Sequence, residues 1–302
     1  MGSRMFSNLA RAIEATLMAP KLLMSSSPEQ YYEYLGDDVV EGRHGRFVDP
    51  KKPLWLNLGY WKTARTYPEA AAALATCLAE FAALGPEDRL LDVGFGFAEQ
   101  DLFWVERYRV KHITGVNITA MQVERAKQRV LARELTDRID LRVGSATKLD
   151  FPAESFDKVT ALECAHHFDT RQQFFEEAFR VLRPGGRLAT ADGIGSPGDP
   201  ALGFLNRVAL KRWCVPLTNV YDRDEYSRRL TALGFVNVRA QSIRNYVFPG
   251  CLKYHALRNS GVSLYDAAIE LSEDEIERCV GLELFKVTGL TDYVLFSADK
   301  PG

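Results

Sequence analysis

From Arg89 to Ala191 short apolar runs alternate with segments of helical periodicity, and this alternation limits the fold more than any other feature of the chain. Arg89–Val93, His112–Val116, Ile139–Val143, Lys158–Leu162 and Arg187–Ala191 read as strands, separated by helices that start near Leu102, Thr119 and Thr170. Such a passage makes the strands parallel, joined by crossover helices, and predicts an open α/β sheet covered on both faces. Capping boxes mark two helix starts, Thr119 with Gln122 and Thr170 with Gln173. Arg183-Pro184-Gly185-Gly186 ends the latter helix and turns the chain into the next strand. Upstream, Tyr67-Pro68 opens a long alanine-rich helix that Gly85-Pro86 closes. Beyond Asp192 the regularity loosens, and residues 193–220, with Trp213, read as a cap over the sheet. A helix from about Asp224 to Leu233, a strand at Phe235–Ala240, a mostly helical stretch at 250–285 and a last strand at Thr291–Ala298 complete the pattern.

The chain has 302 residues, enough for one large domain or two small ones with a full core. Lysine and arginine number 38 against 40 aspartates and glutamates, and the basic clusters at 125–133 and 207–212 are interleaved with apolar residues. That pattern is a solvated helix face and predicts no grip on nucleic acid. The five cysteines form no Cys-x-x-Cys pair, which argues against a zinc site or a disulfide framework. Adjacent residues on a strand point to opposite faces, so the one close histidine pair, His166-His167, predicts no metal site either. No run of 18 uncharged apolar residues occurs, so no integral membrane segment is expected and the protein reads as cytoplasmic. Phe6, Leu9, Ile13 and Leu17 lie at helical spacing up to Pro20, while Arg11 and Glu14 break any signal-like run. This amphipathic helix is expected to act as a lid or subunit contact in a homo-oligomer, with docking on a membrane surface as the other reading.

The chemistry concentrates at Leu90 to Ala98, an apolar strand running into a turn with Gly94 and Gly96 two apart. Glycine there lets the backbone turn tightly and a ligand lie against the peptide plane. A third glycine, which would bring a helix start close to a pyrophosphate, is replaced by Glu99. A ligand without phosphate loses nothing by that, and an acidic side chain suits a cation.

Asp92-x-Gly94-x-Gly96, then Gly115 to Thr119 with Gln122-Val123, then Phe156 to Val159 leading to Glu163-Cys164-Ala165-His166-His167-Phe168, then Leu182 to Gly186, follow one another over about residues 57–192. This series resembles the class I S-adenosylmethionine-dependent methyltransferases, in particular the small-molecule subgroup with antibiotic sugar O-methyltransferases and sterol or isoprenoid C-methyltransferases. The lead-in Asn57-Leu58-Gly59-Tyr60-Trp61 is similar to that subgroup's. The resemblance implies a Rossmann-like fold, a mostly parallel seven-stranded sheet with helices on both faces. It divides the chain into an N-terminal helical segment, 1–55, and a methyltransferase domain, 56–302, with an inserted cap at about 196–222 and a helical segment at about 250–285.

Carried over residue by residue, the resemblance puts Gly94 and Gly96 under the methionine part of S-adenosylmethionine, with Asp92 ordering the turn and Tyr60 reaching the cofactor carboxylate. Asn117 stands where the family has an acidic residue for the ribose hydroxyls, flanked by Ile118 and Gln122. An amide oxygen accepts one hydroxyl while its NH2 donates. Helix capping is the other reading of Asn117 and Thr119. Ser145, Ala146 and Thr147 occupy the adenine position. Glu163, His166 and His167 fall at the carboxyl end of the fourth strand and Asp192 ends the next, so these side chains converge. In the sugar O-methyltransferases the His-His pair and the aspartate line the site, which implies a histidine base oriented or assisted by Asp192. The isoprenoid enzymes imply an alternative: C-methylation of an alkene, with Glu163 as base and Tyr60, Trp61, Trp213, Tyr246 and Tyr254 shielding a carbocation. A nicotinamide-dependent reductase would need a Tyr-x-x-x-Lys pair, which is not in place. A protein that binds the cofactor without methylating stays open.

Overall fold

The computed structural model describes residues 27, 29–30, 53–195, 210–211, 214–259, 268–275 and 291–302. The expected helix between Phe6 and Pro20, Trp213 with most of the cap, and much of 260–285 lie outside the described residues.

The described strands are β1 (Arg89–Val93), β2 (His112–Asn117), β3 (Ile139–Val143), β4 (Phe156–Leu162), β5 (Leu182–Ile194), β6 (Val236–Ser242) and β7 (Asp292–Asp299). They form one seven-stranded sheet in the order β3-β2-β1-β4-β5-β7-β6. The pairs β1–β2, β1–β4, β2–β3 and β4–β5 are parallel. β7 runs antiparallel between β5 and β6, so Asp292 sits beside Ile194 and Asp299 beside Arg187. The mostly parallel seven-stranded architecture expected from the sequence is the one observed.

The long helices around the sheet are α1 (Tyr67–Ala82), α2 (Glu99–Arg107), α3 (Ala120–Ala132), α4 (Arg171–Val181), α5 (Arg223–Ala232) and α6 (Arg244–Asn259). Alternation along β1 divides the core. Leu90 packs with Leu74, Leu78, Trp104 and Val130 on one face. Leu91 and Val93 pack with Phe174, Phe175 and Tyr226 on the other. Each such large side chain, fully buried, contributes about 1.5–3 kcal/mol.

Four local expectations change. α2 begins at Glu99 rather than near Leu102, directly at the glycine turn. The Thr119 box does not close: Thr119 caps α3 with a buried hydroxyl that has no partner, because the Gln122 amide is taken by Asn117. The Thr170 box does form, with Thr170 N–H donating to Gln173 at 2.7 Å. Arg183 to Gly186 is a register irregularity inside β5, with Gly185 at φ 77°, rather than a break before it. α6 starts at Arg244 and carries Pro249 in its interior, whereas residues 268–272 have no regular structure.

Candidate active site

The glycine turn follows β1. Gly94 takes φ 71° and donates its N–H to Val116 at 2.7 Å. A Cβ there would lie 2.6 Å from both Cβ and Sγ of Cys164, so sterics require glycine as well as backbone conformation. Gly96 is left-handed too, at φ 59°. Asp92, fully buried, accepts from Thr160 at 2.6 Å and from Gln100 at 3.0 Å, which ties β1 to β4 and α2. Burial pushes its carboxyl up to about 7 against the pull of those hydrogen bonds. Sequence reasoning missed Asp101, which is also fully buried and whose carboxyl lies against that of Asp92. Burial and the neighbouring Asp92 charge hold Asp101 well above the ordinary value, so it keeps its proton at neutral pH. Glu99 is not available to a cationic ligand, as its position had suggested: its carboxylate is bound by the Arg129 guanidinium of α3.

At the end of β2 the Asn117 amide donates to Gln122 Oε1 at 2.8 Å and to Gly96 O at 3.4 Å. Its hydrogens are thereby turned inward, and the role left for it toward a ribose is acceptance at Oδ1 rather than donation. Ile118 follows with 45% exposure, an open apolar surface beside the turn. Ser145 and Thr147 hydroxyls lie 2.9 Å apart, and Ala146 is buried between them. These residues fit S-adenosylmethionine: a turn without side chains, a hydroxyl acceptor, an apolar platform and a pair of hydroxyls succeed one another along the carboxyl edge of β1, β2 and β3.

Glu163 sits just past β4 at φ 53°. Its Oε2 accepts from Leu58 N–H at 2.9 Å and its Oε1 from the Tyr293 hydroxyl at 2.5 Å. Burial pushes its carboxyl up to about 8. Glu163 therefore latches the lead-in to β7, and both oxygens are engaged. Asn57 shapes the same lead-in by accepting from Gly59 N–H at 3.0 Å and donating to Ala71 O at 3.2 Å. Tyr60 lies edge-on to Tyr246 at 5.4 Å, and the groups whose charge bears on its hydroxyl are Cys77, Tyr246 and Glu80, not the glycine turn. Trp61 and Tyr254 are buried, packed with Tyr67, which stacks on Tyr254 at 4.4 Å. They form a seam between the lead-in and α6, which is not the open aromatic wall expected around a carbocation.

His166 and His167 lie on a 3-10 turn, Ala165–His167, and not on a strand, so their rings do not point to opposite faces. The ring centres are 3.9 Å apart. His166 Nδ1 is hydrogen-bonded to Asp192 Oδ1. His167 is buried, with Nδ1 donating to Cys214 O at 3.3 Å. Burial, then the neighbouring His166, keeps its pKa well below the usual value, so His167 is neutral. Burial would raise Asp192, yet the His166 ring and a guanidinium beside it outweigh burial and hold it below the ordinary carboxylate range. That guanidinium is Arg171 of α4, fully buried, with Nη2 at 2.8 Å from Asp192 Oδ2. Because Asp192 is ionised and only accepts, His166 carries a hydrogen on Nδ1, and in its neutral form the ring presents a lone pair at Nε2. The sequence held one signal for Arg171: a cation in the first turn of a helix opposes the macrodipole and calls for a partner.

Residues 91–190 match the methyltransferase domain family. The chain is 36% identical over 288 residues to erythromycin 3''-O-methyltransferase of Saccharopolyspora erythraea, covering 92% of this chain and 91% of that protein. It is 32% identical over 264 residues to 27-O-demethylrifamycin SV methyltransferase of Amycolatopsis mediterranei, covering 84% of this chain and 94% of that one. Among solved structures the [4+2]-cyclase SpnF shares the fold, with a TM-score of 0.65 at 20% identity over 91% of this chain and 97% of its own. No helix among the described residues is long and apolar enough to cross a membrane. With the glycine turn, the family match and two relatives similar over most of their length, the chain belongs to the S-adenosylmethionine-dependent methyltransferases that act on small molecules.

Proposed function

We propose that the protein methylates a hydroxyl of a specialised metabolite of the erythromycin or rifamycin kind, with His166 as general base. The observation that carries this reading is the Asp192–His166 hydrogen bond, which leaves a basic nitrogen at the carboxyl edge of the sheet. S-adenosylmethionine, when bound, supplies a methyl group on a sulfonium whose departure leaves a neutral thioether. What the protein adds is alignment and a place for the acceptor's proton. His166 Nε2 takes that proton, and the Asp192 carboxylate stabilises the imidazolium that results. His167, buried and neutral, serves as packing behind His166. Glu163 supports the O-methylation reading over C-methylation, since its carboxyl, pushed by burial up to about 8 and tied to Leu58 and Tyr293, already holds a proton at neutral pH.

The test is incubation with S-adenosylmethionine and a panel of demethylated erythromycin- and rifamycin-type acceptors, with phenols and prenyl compounds as controls, read by mass spectrometry. A hydroxyl-bearing acceptor gains one methyl group, and His166→Ala lowers kcat by roughly 10²–10⁴-fold. Methylation at carbon, or wild-type turnover in His166→Ala, contradicts the proposal. We also propose a cytoplasmic homo-oligomer with residues 1–55 as lid or subunit contact, supported by the spacing of Phe6, Leu9, Ile13 and Leu17; light scattering that reads a monomer ends that part.

A further inference from the structure

Arg171 has no place in the proposed chemistry until its surroundings are followed outward. Its Nη1 donates to Asn219 O at 2.7 Å, and its backbone N–H donates to Asn219 Oδ1 at 2.8 Å. Asn219 in turn donates from Nδ2 to His166 O at 3.1 Å and to Phe168 O at 2.5 Å. One buried asparagine therefore grips both the guanidinium and the backbone of the turn that carries His166. The rings of Tyr221 and Tyr226 lie 5.4 and 5.3 Å from the guanidinium carbon. A buried cation at a helix N-terminus costs stability, and among the described residues the ionised Asp192 is the one charge paired with it, beside the carbonyls and rings.

We propose that Arg171, fixed by Asn219, is a positioning residue that sets the protonation of the Asp192–His166 pair and so keeps His166 competent as a base. The inference rests on the reading of His166 as base, and the physical reason is a count of charges. With the guanidinium present, the pair holds one proton, on Nδ1, and the site is neutral. Without it, a fully buried carboxylate faces an imidazole and no fixed cation. The pair then takes up a second proton near neutral pH. That proton either sits on Nε2 of a charged imidazolium or sits on Asp192, which then donates to Nδ1 and drives the ring hydrogen to Nε2. Both arrangements remove the lone pair that would receive the acceptor's proton. The other groups facing Asp192 supply no substitute cation: Glu163 and Cys164 beyond β4, Tyr226 on α5 and Tyr293 on β7 are neutral or negative, and His167 is neutral.

The experiment is nitrogen-15 spectroscopy of histidine-labelled full-length protein between about pH 6 and 10, which reads the tautomer and charge of each ring without an acceptor. Five histidines are present, and His166→Ala assigns the signal of interest. Wild-type protein is expected to show His166 protonated on Nδ1 alone at neutral pH. Arg171→Gln is expected to show a doubly protonated or Nε2-protonated ring at neutral pH that reverts as pH rises. Once an acceptor is known, turnover of Arg171→Gln falls by roughly 10²-fold at neutral pH and recovers in alkali. Arg171→Lys keeps the charge without the fork and is expected to show the wild-type ring. An Arg171→Gln protein whose His166 ring is unchanged overturns the inference. If that variant does not fold, Arg171→Lys decides: a folded Lys variant with an altered ring overturns it, and a wild-type ring upholds it. Wild-type turnover in His166→Ala instead removes the base reading and leaves the ring measurement standing, so the two failures are distinct.

Discussion

Gly94 shows how much a single position decides. Its φ of 71° costs an L-residue about 1–2 kcal/mol, and a Cβ would stand 2.6 Å from Cys164. Gly94→Ala is therefore expected to lose more than the backbone term alone and to weaken binding of S-adenosylmethionine, measured by denaturant midpoint and calorimetric titration. Such residues were legible in the sequence because their constraint is local: Asp92, Gly94 and Gly96 lie within five positions of one another. The partners that complete the site were not. Tyr293 reaches Glu163 across 130 residues, and Arg171 reaches Asp192 across 21 through a contact between separate elements. A hydroxyl and a carboxylate that distant leave no mark of their pairing on the chain. Glu99 misleads for the same reason, since the Arg129 that neutralises it stands 30 residues on.

Elements follow their periodicity where the core rewards it and depart from it where a side chain has a better partner. The Thr170 box forms as its spacing predicts, whereas the identical spacing at Thr119 fails because Asn117 claims the Gln122 amide. α6 supplies a sharper case. Gly to Ala in a helix interior ordinarily gains about 0.5–1 kcal/mol. At Gly250, however, a Cβ would lie 2.0 Å from Trp61 Cγ, where the lead-in passes under the helix with Trp61 N–H donating to Tyr246 O at 2.6 Å. Gly250→Ala is expected to reverse the sign and destabilise by about 1–3 kcal/mol, read as a lower melting temperature with unchanged helix content. The sequence carried the helix but not this contact, because Trp61 approaches from an irregular segment with no period to read.

The whole molecule carries a set of buried acids whose sum fixes its response to pH. Asp92, raised from 3.8 to about 7, and Glu163, raised from 4.5 to about 8, hold protons in the native state that the unfolded chain has lost. Stability from these groups is present at low pH and falls as pH rises through about 4 to 8, by an amount on the order of a few kcal/mol. Asp192, lowered below 3.8, acts in the opposite sense and loses its contribution only in stronger acid. The melting temperature is expected to decline from mildly acidic to alkaline buffer, and a flat profile in the wild type contradicts this. The reversed course of β7 has a consequence of another kind. It carries the chain from beside Ile194, at the edge that holds His166 and Asp192, down to Asp299 beside Arg187, where Lys300 N–H donates to Gly186 O at 2.8 Å. The exposed Gly302 thus lies at the opposite end of the strands. Coupling the enzyme to a bead or electrode through that residue would present every molecule with its catalytic edge outward, a built-in orientation for work on solid supports.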